Sequence, residues 1–127
     1  MQSRDTSPEL ALQAQLRALG EEFDTHLRQL PGTPDIVFGE EKMVIFVHGC
    51  FWHRHFPCRA TRTPRTNTSL WLARFRQTTA RDAEVRQRLI EAGWGVFTAW
   101  ECELKADANG VAQSVEFYLE KLRVSVS

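Results

Sequence analysis

Apolar positions along the chain follow a helical period in some stretches and an extended one in others. Leu12, Leu16 and Leu19 recur at i, i+4 and i+7 behind Thr6-Ser7-Pro8-Glu9. That tetrad is a helix start, with Thr6 as N-cap, Pro in the first turn and Glu9 at the capping-box position, and Gly20 closes the helix. A strand-like piece from Glu22 to Gln29 follows, then the turn signal Leu30-Pro31-Gly32-Thr33-Pro34. Asp35-Ile36-Val37-Phe38 and Met43 to Val47 are apolar runs on either side of the turn Gly39-Glu40-Glu41-Lys42. The second run has no polar alternation, so burial on both faces is expected. Pairing the two as a hairpin sets Phe38 near Met43 and Asp35 near Phe46, which brings Asp35 beside the Val47-His48 end.

Residues 54–67 read as an irregular loop containing Arg and Pro. Asn67 or Thr68 can cap a long helix that runs to Ala92 and stops at Gly93. Its inner stripe is Phe75, Thr78, Asp82, Val85, Leu89 and Ala92, with an acid in the middle. Val96 to Trp100 is a third buried strand. Asp107-Ala108-Asn109-Gly110 then leads into an amphipathic helix carrying Val111, Val115, Tyr118 or Leu119, and Leu122. The expected fold is α/β, a single domain over residues 1–127 with a small mixed sheet flanked by helices.

Composition agrees with one self-folding domain: 127 residues, 43% apolar and 25% charged. No apolar run approaches the ~18 residues of a membrane span, and the first residues carry no signal-peptide pattern, so no membrane partner and a cytoplasmic location are expected. Net charge is zero, but from Arg54 to Arg88 nine arginines face only Asp82 and Glu84. Arg fits phosphate better than Lys, so this basic segment suggests nucleic acid, with a solvated helix face as the competing reading.

The three cysteines are an odd count and do not suggest a disulfide framework. Cys50, His55 and Cys58 share one short loop, and Cys102 lies just past the third strand. Four such ligands make a closed tetrahedral zinc site of the structural kind; three thiols acting as small buried hydrophobes are the alternative. With His55 assigned there, His48 and His53 remain beside Asp35. A strand-borne Asp, two His and a nearby Glu can hold a divalent ion and activate water, with Asp35 as anchor for a hard cation such as magnesium and Glu9 as second acid. Against this stand a turn role for Asp35, a capping role for Glu9 and plain polar roles for the histidines. His26, without such company, reads as structural. Pro34-Asp35 with Glu40-Glu41-Lys42 imitates a nuclease PD…(D/E)xK pair, but the hairpin puts Glu40 and Lys42 at the end far from Asp35.

Leu30-Pro31-Gly32-Thr33-Pro34-Asp35, Ile45-Phe46-Val47-His48-Gly49-Cys50-Phe51-Trp52-His53, Asn67 with Trp71, Arg81-Asp82, Gly93-Trp94 and Trp100-Glu101-Cys102 occur in this order. Together, from about Asp5 to Leu104, they resemble the Vsr family of very-short-patch-repair DNA mismatch endonucleases. The resemblance implies a restriction-endonuclease-like fold with structural zinc and catalytic magnesium. It implies nicking of double-stranded DNA 5′ to the thymine of a T:G mismatch, left by deamination of 5-methylcytosine. By position, Asp35 resembles the central magnesium ligand and Val47 the residue that adds a backbone carbonyl. His48, His53, Glu9 and Asp82 resemble the remaining catalytic residues, His53 as acid/base and Asp82 as the group orienting a histidine. Cys50, His55, Cys58 and Cys102 resemble the zinc ligands. Phe51, Trp52 and Trp71 resemble an aromatic wedge that enters the duplex, where stacking can offset an unstacking cost of a few kcal/mol. A monomer acting at the nucleoid, with repair proteins downstream, is also implied. Other members carry a longer N-terminal arm that enters DNA from the opposite groove; here only Met1 to Asp5 precede the cap. Pro57 is an extra residue between His55 and Cys58. Two further functions are weighed: a related endonuclease with another target, a different lesion or foreign DNA, and a zinc-stabilised DNA-binding module without catalysis.

Overall fold

A mixed four-stranded sheet, in the order β1-β2-β3-β4, forms the middle layer of the protein. In the computed structural model, residues 6–55, 58 and 61–126 are described; Met1 to Asp5 and Pro57 lie outside them. The elements are α1 Ser7–Ala18, β1 Asp24–Thr25, β2 Ile36–Phe38, β3 Met43–His48, α2 Cys50–His53, α3 Thr68–Glu91, β4 Gly95–Trp100 and α4 Glu101–Val126.

The hairpin has the expected register, Phe38 opposite Met43, Val37 opposite Val44 and Ile36 opposite Ile45. Strand parity then sorts the side chains into two cores. Ile36, Phe38, Met43 and Ile45 face α1 and α4 through Leu12, Leu16, Leu104, Ala112, Val115 and Leu119. Val37, Val44 and Phe46 face α3 through Leu89 and the half-buried Val85. At about 1.5–3 kcal/mol per fully buried large apolar side chain, these two layers hold the sheet against the helices. They also explain β3, which lacks alternation because both faces are covered.

Several expectations need correction. Leu19 is exposed because the helix has already ended: Gly20, at φ +88°, closes a Schellman cap in which Gly20 N–H donates to Arg17 O and Glu21 N–H to Leu16 O. Ala92 is likewise exposed, as it lies at the cap of α3, where Gly93 N–H donates to Ile90 O and Trp94 N–H to Leu89 O. β4 is only half-buried, Ala99 excepted, because it pairs with β3 on one side and is the sheet edge on the other. Thr6 and Asn67 occupy cap positions without a side-chain cap bond. Tyr118 is exposed and Leu119 buried, which settles that alternative. The last helix starts earlier than its periodicity suggests, at Glu101, and breaks at Asp107, whose Oδ1 accepts a bond from Gly110 N–H. The extra first turns carry Cys102.

Candidate active site

Two strand ends create the site. Ile45 O accepts from Asp35 N–H, and Asp35 Oδ2 accepts from Val47 N–H at 2.7 Å. The carboxylate is thereby fixed against the end of β3. In an extended strand a residue's N–H and C=O leave on the same flank, so the Val47 carbonyl shares the side occupied by Asp35. Burial is the largest influence on Asp35 and pushes its carboxyl upward, opposed by the Val47 N–H and by the charges of His26 and His53.

α1 delivers Glu9. Its side chain is 2% exposed, so Glu9 is turned inward rather than closing a capping box. Glu9 Oε2 accepts from Gln13 Nε2 at 3.1 Å and lies 2.6 Å from His26 Nε2. His26 Nε2 is also 3.8 Å from Asp35 Oδ1. The His26–Glu9 approach is a charge contact and not a directed hydrogen bond, because the angles are unfavourable. His26 was read as structural, and this is the residue sequence reasoning missed. Asp24 opposite Val37 and Thr25 opposite Ile36 carry His26 to Asp35, whose carbonyl accepts the His26 N–H. The Leu30–Pro34 turn was the available signal: folding the Glu22–Gln29 piece back across it places His26 opposite Asp35.

His48 ends β3 and His53 ends the single turn of α2, and their rings stack at 3.9 Å with 6° between planes. His53 Nδ1 is 2.6 Å from Asp82 Oδ2, reached from the middle of the α3 stripe. An acid facing the core of an amphipathic helix is thus explained by a partner. Burial foremost, and then the neighbouring His53 charge, push His48 down to about 4 despite the pull of Asp82. His48 is therefore neutral near pH 7, while the carboxylate of Asp82 is placed to hold a proton on His53 Nδ1.

Glu9, Asp35, Val47, His48, His53 and Asp82 all line one cleft of about 1130 Å³. Arg74, Arg81 and Arg86 of α3 line it as well. Other parts of the basic segment are employed differently: Arg88 pairs with Glu84 on the surface, Arg54 is turned inward, and Arg59 lies outside the described residues. Glu40 and Lys42 sit on the hairpin turn at the other end of β2 and β3, away from Asp35.

Beside the cleft, ligand atoms of Cys50, His55, Cys58 and Cys102 lie within 4.8 Å of one another. His55 Nδ1 is 3.6 Å from Cys50 Sγ and 3.4 Å from Cys102 Sγ. Sulfur and nitrogen ligands at the corners of a tetrahedron around zinc are separated by about 3.6 Å, so the set fits that ion. Burial first, then the neighbouring thiols, push the Cys50 thiol up to about 12, and burial raises Cys102 as well. Crowded thiols of this kind become ligands when a dication supplies the missing positive charge. Thr61 buttresses the loop, donating to His55 O and Cys50 O, and its N–H donates to Cys58 O. His55 also stacks on Trp100 at 4.3 Å, and Trp100 meets His48 edge-on at 5.4 Å. The cysteine cluster and the histidine pair are therefore joined through one indole.

Phe51, Trp52 and Trp71 converge with Phe75 in an aromatic group, with ring centres 5.2–6.3 Å apart. Trp52 is 41% exposed and lines the cleft, whereas Phe51 and Trp71 are half-buried behind it. Among the described residues no helix is long and apolar enough to cross a membrane.

A family profile described as DNA mismatch endonuclease Vsr matches residues 1–59. The chain is 41% identical over 104 residues to the type II nicking enzyme V.XorIIP of Xanthomonas oryzae, covering 82% of this chain and 76% of that one. It is 42% identical over 103 residues to DNA mismatch endonuclease Vsr of Escherichia coli, covering 81% of this chain and 65% of that one. It is 36% identical over 106 residues to the type II nicking enzyme V.NmeAIP of Neisseria meningitidis, covering 84% and 75%. Thus the chain spans about two thirds of the Escherichia coli protein and about three quarters of the two nicking enzymes.

Proposed function

The chain belongs to the Vsr family of DNA endonucleases and nicking enzymes, and on that premise we propose that it nicks double-stranded DNA 5′ to the thymine of a T:G mismatch by magnesium-dependent phosphodiester hydrolysis. One observation carries the chemistry: Asp35, locked to Val47, shares a cleft with a stacked histidine pair whose outer member is held by Asp82.

Asp35 and the Val47 carbonyl would hold magnesium, with Glu9 as a further acid; carboxylate and carbonyl oxygens are the donors a hard cation prefers. The ion supplies positive charge that polarises the scissile phosphate and acidifies water. His53, kept protonated on Nδ1 by Asp82, exchanges a proton through its other nitrogen at the reacting phosphate. His48, neutral, fixes the plane of His53 by stacking and offers a lone pair to water. Arg74, Arg81 and Arg86 give the cleft a cationic wall for the flanking phosphates. Zinc is the ion we assign to Cys50, His55, Cys58 and Cys102, where it cross-links the loop after β3 to the start of α4. Trp52, backed by Phe51 and Trp71, is the aromatic surface for the weakened base step.

Replacing Asp35 by Asn tests the assignment. Nicking should be abolished while duplex affinity stays within about threefold, since a phosphate contact elsewhere supplies most of the binding. An equal fall in both quantities removes Asp35 from the chemistry.

The family match equally admits an endonuclease with another target, because the relatives include several nicking enzymes. A binding module without catalysis has no comparable support: it leaves Asp35, His48, His53, Glu9 and Asp82 without a reason to share one cleft.

A further inference from the structure

Among the described arginines of the basic segment, Arg54 alone is not exposed. Its backbone is left-handed, φ 56°, directly after the single turn of α2. That conformation costs a residue other than glycine about 1–2 kcal/mol, so the side chain has to return something. Its Nη1 donates to Phe51 O at 3.3 Å and Arg62 O at 3.4 Å, and its Nη2 to Thr63 Oγ1 at 3.2 Å. The guanidinium carbon lies 3.8 Å from the centre of the Phe75 ring and 5.7 Å from that of Phe51. One planar group therefore joins three segments: the turn carrying Phe51 and Trp52, the loop at Arg62 and Thr63, and α3 at Phe75. Lys cannot reproduce both the stacking and the fork of donors.

Four residues of helix have no stability of their own. The tetrahedral cysteine–histidine cluster fixes the α2 turn at Cys50, but Phe51 and Trp52 project from its other side. We propose that Arg54 is a positioning residue for DNA recognition: it clamps the Phe51–Trp52 turn onto α3 before DNA arrives, so Trp52 meets the duplex already ordered. This rests on the aromatic-wedge reading of Trp52. The clamp removes an ordering cost that would otherwise be charged against mismatch binding, where Trp52 is used, and leaves binding to paired DNA, where it is not, largely unaffected.

The experiment uses the full chain loaded with zinc, with metal content measured for every variant. Arg54→Lys keeps the charge and removes the clamp; Thr63→Ala removes one bond of it without touching the cysteine loop. Trp52→Ala is the reference. Amide exchange over residues 51–54 is measured without DNA, and affinities are measured for T:G and fully paired duplexes of one sequence. Arg54→Lys should lose about tenfold protection and about tenfold T:G affinity, with paired-duplex affinity within about twofold, as expected for loss of a charged hydrogen-bond set and a cation–π contact. Thr63→Ala should move the same quantities in the same direction by about threefold. Equal losses on both duplexes would make Arg54 a phosphate contact and overturn the proposal, as would unchanged protection. If Trp52→Ala leaves the ratio of the two affinities unaltered, the wedge reading itself fails and the proposal with it. If Trp52→Ala collapses that ratio and Arg54→Lys does not, the wedge stands and Arg54 has no part in it.

Discussion

His53 Nδ1 lies 2.6 Å from Asp82 Oδ2 across the gap between α2 and α3, an aligned imidazole–carboxylate pair at the mouth of the cleft. Asp82 lies too far along α3 to be part of the cysteine loop and has no helical reason to face inward. Its task is to fix the tautomer and plane of His53. Asp82→Asn should retain the contact with the wrong proton arrangement and lower the nicking rate by about 10²-fold, the usual range for an acid–base group. Duplex affinity should hardly change. Single-turnover kinetics with a parallel binding titration check it; a fall confined to affinity contradicts it.

The contact between His26 and Glu9 predicts a stability effect. Glu9 is buried, and without His26 its carboxylate keeps Gln13 but loses its cationic neighbour. His26→Ala should cost about 1–3 kcal/mol in urea unfolding, the range for stranding a buried polar group. Adding Glu9→Gln should recover much of that loss. A strictly additive double variant would show that the two side chains do not interact.

Cys102 reaches the tetrahedral cluster from the first turn of α4, so it is the ligand that ties two distant segments together. Cys102→Ser should lower bound zinc to well under one per chain and reduce stability by about 3 kcal/mol or more, the scale on which losing a structural metal is felt. Metal analysis with thermal unfolding reads both. Full zinc content would place the fourth ligand elsewhere.

Away from the cleft, Arg123 bonds Glu21 at 2.7 Å and Glu41 at 2.8 Å, while Glu116 Oε2 is buried without a hydrogen-bond partner. Burial first, then the adjacent Glu21, push Glu116 up to about 7 from an ordinary 4.5. The folded state thus favours protonated Glu116. Its contribution is fully present below about pH 4.5 and is lost as pH rises through about 7. Glu116→Gln should therefore unfold like the parent at pH 4 and at a higher temperature than the parent at pH 8. The same difference at both pH values would contradict the assignment.

Much of this arrangement was legible in the residues. The hairpin register follows from two apolar runs and a four-residue turn, and it alone moves Asp35 to the Val47-His48 end and Glu40 and Lys42 away from it. The cysteine cluster was legible because thiols and an imidazole concentrated in one loop have few other uses. Three features were not. His26 escaped because a two-residue strand is too short to show a period, so its pairing partner had to come from the turn before β2. Arg54 escaped because charge counting treats every arginine as exposed, whereas the aromatic floor that accepts this one exists only once α2 lies on α3. The early start of α4 escaped because Glu101 to Ala106 is too short for a helical stripe to emerge before the break at Asp107.

The most direct test of the central claim is a strand-resolved nicking assay with magnesium on duplexes of one sequence carrying T:G, U:G or only paired bases. The account predicts a single nick 5′ to the thymine of T:G and no cut in the paired duplex. Equal cleavage of paired DNA would keep the nuclease and contradict mismatch direction, and no cleavage with any divalent metal would contradict the catalytic assignment of the cleft.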